Sequence, residues 1–427
     1  MSVELLALAF NHDPASAARD ALNVRRNSLE PVEVPEWRQG LTNPEDSVAA
    51  YALAETQGNT LTVKARLSSP EDRSRSLEVR AVRPPPPPFP DALRLQLSVL
   101  ALTQPLLAQA LLLQWQATWR SLFGGAGLLG EVAARSVTFG EDGETGFETF
   151  DLSGPLLWSR GVGTEVVSWQ WQFRRGPGEA WSDFVRTSHR IYTVLRTPTE
   201  PWQQQPFEPT NLQLPWTDIL AFACRWAAST FTVRRAATRV TEQVFELGNG
   251  HLVYGCPINA LPVYTVPSSS PFLPPLFNCT AFLDLLKGGF GRGPFVNCSD
   301  CAAIVSTFAN ALGCDLWQSK MLTPGVPFLL NPILAIGGSQ WSVPCGVPTF
   351  TFHEVAWTEE CTSGDDVFDA CLKVDASPLS PLRNGVLPSG MRFGLPGQGE
   401  YRDLLAAPAG RPFCQPQPDM RQRRPVF

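Results

Sequence analysis

Hydrophobic and polar residues alternate strictly in several stretches of this chain, the first within its opening 83 residues. Leu61, Val63, Ala65 and Leu67 alternate with Thr60, Thr62, Lys64 and Arg66, and Leu77, Val79 and Ala81 resume the pattern after a turn-like stretch at 68–75. A period of two places each set on one face of a pleated strand. Residues 1–83 are therefore predicted to form a β-sandwich-like module. The alternation returns at 131–208, where Val167, Trp169, Trp171 and Phe173 oppose Ser168, Gln170 and Gln172. Ile191, Thr193 and Leu195 follow, and Pro198, Pro201 and Trp202 close what reads as a second β-rich module.

Residues 84–130 have another character. The prolines at 84–88 predict a stiff spacer. Residues 95–119 then carry no charge, a run long enough for a membrane span. Gln96, Ser98, Thr103, Gln104, Pro105, Gln109, Gln114 and Gln116 interrupt it. The reading is one or two amphipathic helices docked on the protein, with no membrane span. This 91–120 segment and the β-modules are the candidate surfaces for a protein partner. After Pro215 the period lengthens to that of a helix. Thr217 can cap Ile219, Leu220, Ala223 and Trp226, and Val233, Ala237, Val240, Val244 and Phe245 repeat the spacing. Residues 377–427, rich in Pro and Gly and ending in Arg421, Arg423 and Arg424, read as a wrapping or disordered tail.

Composition narrows the classes. With 44 % hydrophobic and 17 % charged residues, the 427-residue chain has material for sizeable cores, which excludes wholesale disorder. Forty prolines argue against an all-helical bundle. A net charge of -6 lacks the basic footprint of a nucleic-acid binder, so no nucleic-acid partner is expected. Ten cysteines fall far short of a disulfide scaffold. Glu4, His12 and Asp13 around a short apolar run do not fit a secretory segment. A cytoplasmic chain is expected, its thiols free, catalytic or metal-bound.

Eight of the ten cysteines fall between Cys256 and Cys371. Ile304, Val305, Phe308, Ala311 and Leu312 form a helical stripe that starts near Cys298 and stops at Gly313, a plausible C′ glycine. Asn297 is a good N-cap, and Asp300 supports it as in a capping box. Cys298 then opens the helix, where unpaired N–H groups and the dipole favour a thiolate and an oxyanion. Downstream, Phe352-His353-Glu354-Val355-Ala356-Trp357 and Val367-Phe368-Asp369-Ala370-Cys371 read as strands of a hairpin around Ser363-Gly364-Asp365. Centred on Cys361, that hairpin sets His353 opposite Asp369, within reach of an imidazole–carboxylate hydrogen bond. A one-residue slip would put them on opposite faces. Asp375 is the alternative carboxylate. Cys298-x-x-Cys301 with Cys314, Cys345, Cys361 or His353 is an alternative zinc set. Cys224, Cys279, Cys314 and Cys371 read as packing, and His12, His189 and His251 as surface or structural.

A thiol, an imidazole and a carboxylate are the parts of an activated-cysteine acyl-transfer site. Here the sequence resembles the transglutaminase-like superfamily of the papain-type cysteine fold. The resemblance rests on Cys298, Asp300, Ala302 and Ala311-Leu312-Gly313, then His353, then Asp369, and covers roughly residues 210–376. Cys301 stands where the family is more often bulky, and Glu354 where a small residue is common. The resemblance implies catalytic Cys298, His353 and Asp369, a protein or peptide substrate, and neither cofactor nor metal. The expected architecture is multidomain α+β: modules 1–83 and 131–208, the 84–130 spacer, a transglutaminase-like domain at 209–376 and the 377–427 tail. Glycines at 288–293 read as the rim of an open cleft, which favours a protease- or amidase-like hydrolase. The alternatives are a crosslinking transglutaminase and an inactive fold serving as an interaction protein.

Overall fold

Strands from both β-rich segments enter a single sheet. The computed structural model describes residues 2–11, 21–27, 31–56, 58–68, 76–85, 90–123, 127–198, 214–268, 275–375 and 385–427. His12, the turn at 69–75, Pro86–Pro88 of the spacer, Pro201, Trp202 and the start of the tail at 377–384 lie outside the described residues. The architecture is mixed α+β. Strands β1 (Val3–Ala9), β2 (Trp37–Arg38), β3 (Val48–Ala52), β4 (Thr60–Leu67), β5 (Ser76–Val82), β6 (Glu131–Thr138), β7 (Glu148–Ser153), β8 (Gly163–Arg174) and β9 (Ser182–Val194) form one nine-stranded sheet. Its order is β2-β1-β4-β7-β6-β5-β8-β9-β3. β5 pairs on both sides with strands of the later segment, β6 and β8, and β4 pairs with β7.

Two separate sandwiches are therefore corrected to one sheet. Alternation identifies a strand's buried face and is silent about which strands it pairs with. The faces themselves are as expected: Leu61, Val63, Ala65, Leu77, Val79, Val167, Trp169 and Trp171 are all buried in one core.

β3 and β9 run parallel, and they join this sheet to the rest of the molecule. Ala49, Tyr51 and Ile191 face the sheet core, while Val48, Ala50, Ala52, Tyr192 and Val194 belong to the second core, built around the cysteine-rich region. Both faces are covered, which is why every residue of β3 is buried.

The uncharged segment forms two helices, α1 (Asp91–Ala101) and α2 (Pro105–Phe123). Ala108 is buried there, but Leu95, Leu102, Leu106 and Leu113 are exposed, so the pair is less docked than its composition predicts. Among the described residues no helix is long and apolar enough to cross a membrane. A short α3 (Leu157–Arg160) precedes β8.

The second core surrounds α7 (Cys298–Asn310), with α4 (Thr217–Trp226), α5 (Val233–Glu246) and α6 (Cys279–Leu286) among the elements that build it. A four-stranded antiparallel sheet lies across it, in the order Trp317–Met321, His353–Trp357, Asp366–Phe368, Ser389–Arg392. The last strand comes from the supposed tail. Residues 385–427 also supply α8 (Tyr401–Leu405), whose five residues are all buried, and the buried Cys414, Arg424 and Val426. The described part of the tail is thus structural: Phe277 pairs with Val426, Gln318 with Gln422 and Met321 with Pro416.

One expectation about thiols is also corrected. Cys256 and Cys345 are joined by a disulfide across 89 residues, while the other eight cysteines are free and buried.

Candidate functional site

Helix α7 begins where its sequence says it should. The Asn297 side chain accepts from Asp300 N at 3.0 Å and Asp300 Oδ2 accepts from Asn297 N at 3.2 Å, a reciprocal capping box. Cys298 is the first helical residue, so its N–H and that of Ser299 have no intrahelical acceptor. Asp300 also accepts from the backbone N of Val263, Tyr264 and Thr265, at 2.9, 3.0 and 2.6 Å. It is a cap that also holds the 263–265 loop against the helix start. The helix ends at Asn310, and Gly313 follows with φ +79, where a Cβ would come 2.7 Å from the Arg196 carbonyl oxygen. Glycine there lets β9 run on beside the helix end.

His353 opens the central strand. Its Nε2 donates to Asp369 Oδ2 at 3.0 Å, and the two side chains are 0 % and 1 % exposed. The hairpin register differs from the one that sets them face to face. Ala356 pairs with Phe368 and Trp357 with Val367, a shift of two residues, and the strand ends at Phe368. A shift of two preserves the face, so the side chains still meet, along a diagonal. Asp375 is buried too, but it is Asp369 that accepts the His353 hydrogen bond.

Asp369 has two further donors. Oδ1 accepts from Cys371 N at 2.8 Å, and Oδ2 accepts from the Tyr401 hydroxyl at 2.8 Å. On the other side of the imidazole, Nδ1 has no hydrogen-bond partner among the described residues, and the Cys298 thiol is one of the groups acting on the ring. Burial by itself would lower the His353 pKa. The adjacent Asp369, by charge and hydrogen bond, and then Cys298 outweigh it and raise the imidazole to about 10. Phe350 stacks on the ring, centroids 5.4 Å apart at 17°.

Cys301 lies one turn after Cys298 and meets the Cys371 thiol. Their hydrogen bond is the largest influence on Cys301 and favours its thiolate, but burial together with Asp300, Asp369 and Cys298 raises the thiol; Cys371 is pushed up chiefly by burial. Cys345 of the alternative zinc set is taken by its disulfide. Among the described residues no group of three or more His, Cys, Asp or Glu side chains is arranged to hold a metal ion.

The residues flanking Cys298 and His353 line a cavity of about 590 Å³: Asn297, Ser299, Phe352 and Glu354, together with Lys320 and Arg424. Glu354 is buried, accepts from Ser299 Oγ at 2.6 Å and pairs with Arg424 at 2.6 Å. Burial favours its neutral form, but Arg424 and then Ser299 prevail and hold the carboxyl below its usual range. Arg424 also donates to Gln318 Oε1 at 2.8 Å, and its Nε has no partner among the described residues.

The other candidates are structural. His189, fully buried, lies 2.7 Å from Ser47 Oγ and 2.8 Å from Thr187 Oγ1, and burial lowers it to about 3. In the 288–293 rim, Asp284 Oδ2 accepts from Gly291 N at 2.9 Å and the Tyr264 hydroxyl donates to Gly293 O at 2.7 Å. The contacts of Tyr401 and Arg424 with the candidate site escaped the sequence reading, because Pro and Gly dominate their segment. The signal available was Tyr401, Leu404 and Leu405 at i, i+3 and i+4.

No family model matches this chain, and no curated protein matches it either. Among solved structures, the crystal structure of red sea bream transglutaminase is a distant structural match, with TM-score 0.34 and 11 % identity. The alignment covers 91 % of this chain and 55 % of that one, so the chain spans about half the length of that enzyme.

Proposed function

We propose that this chain is a cysteine hydrolase of peptide or amide bonds, acting through a thioester on Cys298 with His353 as acid and base and Asp369 as its orienting carboxylate. The observation that carries the reading is the His353 ring. One nitrogen is bonded to Asp369, the other is unpartnered, and Cys298 acts on it from the first position of a capped helix. A raised imidazole keeps its proton, ready to pass it to the departing amine.

In the reaction the thiolate sulfur bonds the carbonyl carbon. The negative oxygen that forms is met by the free N–H groups at the start of α7. His353 gives its proton to the departing amine as the C–N bond breaks, leaving a thioester. Neutral His353 then takes a proton from water, whose oxygen replaces sulfur to release the acid. Asp369 keeps the imidazole in the tautomer that presents Nδ1 throughout.

The test is incubation of the protein with a mixed peptide pool and a labelled primary amine, read by mass spectrometry. Cleaved backbones or hydrolysed side-chain amides that vanish in Cys298→Ala support the proposal. Amine-capped Gln with intact backbones would assign a crosslinking transferase instead. A second reading, an inactive fold serving as an interaction protein, draws on the exposed Leu102, Leu106 and Leu113 of the α1–α2 region. Absence of both products would favour it.

A further inference from the structure

Tyr401 stands 32 residues beyond Asp369 in the chain, yet its hydroxyl donates to the same carboxylate oxygen that receives the His353 proton. We propose that Tyr401 is a positioning residue that acts on His353 through Asp369, so that the C-terminal segment completes the site. The inference rests on the acyl-transfer reading above and adds to it a residue outside the region that resembles a known family.

Three observations carry it. First, Asp369 lies just past the end of its strand, so the ladder does not hold its side chain. Its backbone N bonds Pro388 O at 2.7 Å, and the orientation of its carboxylate is left to the three donors around it. Second, those donors divide the work. Cys371 N fixes Oδ1, and the Tyr401 hydroxyl stops the carboxylate turning about its Cβ–Cγ bond, which keeps Oδ2 toward His353. Third, Tyr401 is itself immobilised. Its ring is 0 % exposed and 6.0 Å from that of Phe393, over which the buried Arg402 lies. Asp403 accepts from Gly397 N and Gly399 N at 3.0 and 2.7 Å. Burial and then Asp369 keep the phenol protonated, so it remains a donor wherever the imidazole titrates. The other titratable groups around the pair are Cys298 and Cys301 of α7, Cys371, Cys414 and Tyr254.

The experiment is the rate of Cys298 alkylation by iodoacetamide as a function of pH, measured on the full chain. Wild type, Tyr401→Phe, Asp369→Asn and the double variant are compared, each with its unfolding midpoint. Y401F keeps the ring and removes the hydroxyl, and Tyr401→Met serves as a second variant if Y401F does not fold. The expected result is a slower reaction near pH 6, by about tenfold, as the acid limb moves upward. In the D369N background Y401F should add almost nothing, because the residue it acts through is gone. An unchanged acid limb in Y401F, or an equal slowing in both backgrounds, overturns the inference while leaving the Cys298–His353 pairing intact. A lower unfolding midpoint with no shift of the limb overturns it too, since that is a packing role alone. A wild-type profile indifferent to His353→Ala overturns the pairing, and the inference with it.

Discussion

The Arg424 guanidinium lies 2.6 Å from the Glu354 carboxylate, and the two side chains are 2 % and 0 % exposed. Glu354 in turn accepts from Ser299, so a residue three places before Phe427 is keyed to the residue next to Cys298. Arg424→Met strands a buried carboxylate and should cost about 3–5 kcal/mol at neutral pH, read by urea unfolding. Glu354 is held below its ordinary value of 4.5, so its contribution is present above that pH and fades as pH falls. The gap between wild type and R424M should therefore narrow on acidification. A constant gap from pH 7 to pH 3 would show that the ion pair is not its source.

Cys298 and Cys301 should separate cleanly by reactivity. Against the Cys371 hydrogen bond, burial together with Asp300, Asp369 and Cys298 raises Cys301 and favours its thiol form. A limiting amount of iodoacetamide at neutral pH should label Cys298 first, by peptide mapping. Preferential labelling of Cys301 would move the nucleophile.

Asp369, rather than Asp375, should matter for turnover. Asp369→Asn leaves the shape but removes the charge that stabilises the imidazolium, with a loss on the order of 10²-fold or more in kcat. His353→Ala should abolish turnover with the fold retained, and Asp375→Asn should cost less than D369N. The reverse ranking would mean that the observed 3.0 Å contact is not the functional one.

The pH dependence has a definite sign. The His353 pKa is raised from 6.5 to about 10, so the folded state gains from its proton in full below the ordinary value. That gain drains away as pH rises through the 6.5–10 window and is gone above it. Wild type should lose more unfolding temperature across this window than His353→Gln, and turnover should fall on its alkaline side. Equal losses in both proteins would deny the imidazole its raised pKa.

Much of the candidate site is written locally. The capping box at Asn297 and Asp300, the start of α7 at Cys298 and the strand at His353 follow from signals spanning a few residues, and each is where those signals put it. The meeting of His353 and Asp369 survived a register two residues away from the expected one, because strand faces repeat every second residue.

What the sequence by itself determined is the type of the strongly periodic elements and the face they bury, since period and capping depend only on near neighbours. Partners distant in the chain were decided by the tertiary structure alone. The pairing of β5 with β6 and β8, the Cys256–Cys345 disulfide, Tyr401 on Asp369 and Arg424 on Glu354 join residues 32 to 96 positions apart. Such contacts form because chain closure brings together groups that have no other way to satisfy a buried donor, acceptor or charge. No local pattern encodes that choice, which is why a segment that reads as a Pro- and Gly-rich tail turns out to hold Tyr401 and Arg424, bonded to Asp369 and Glu354.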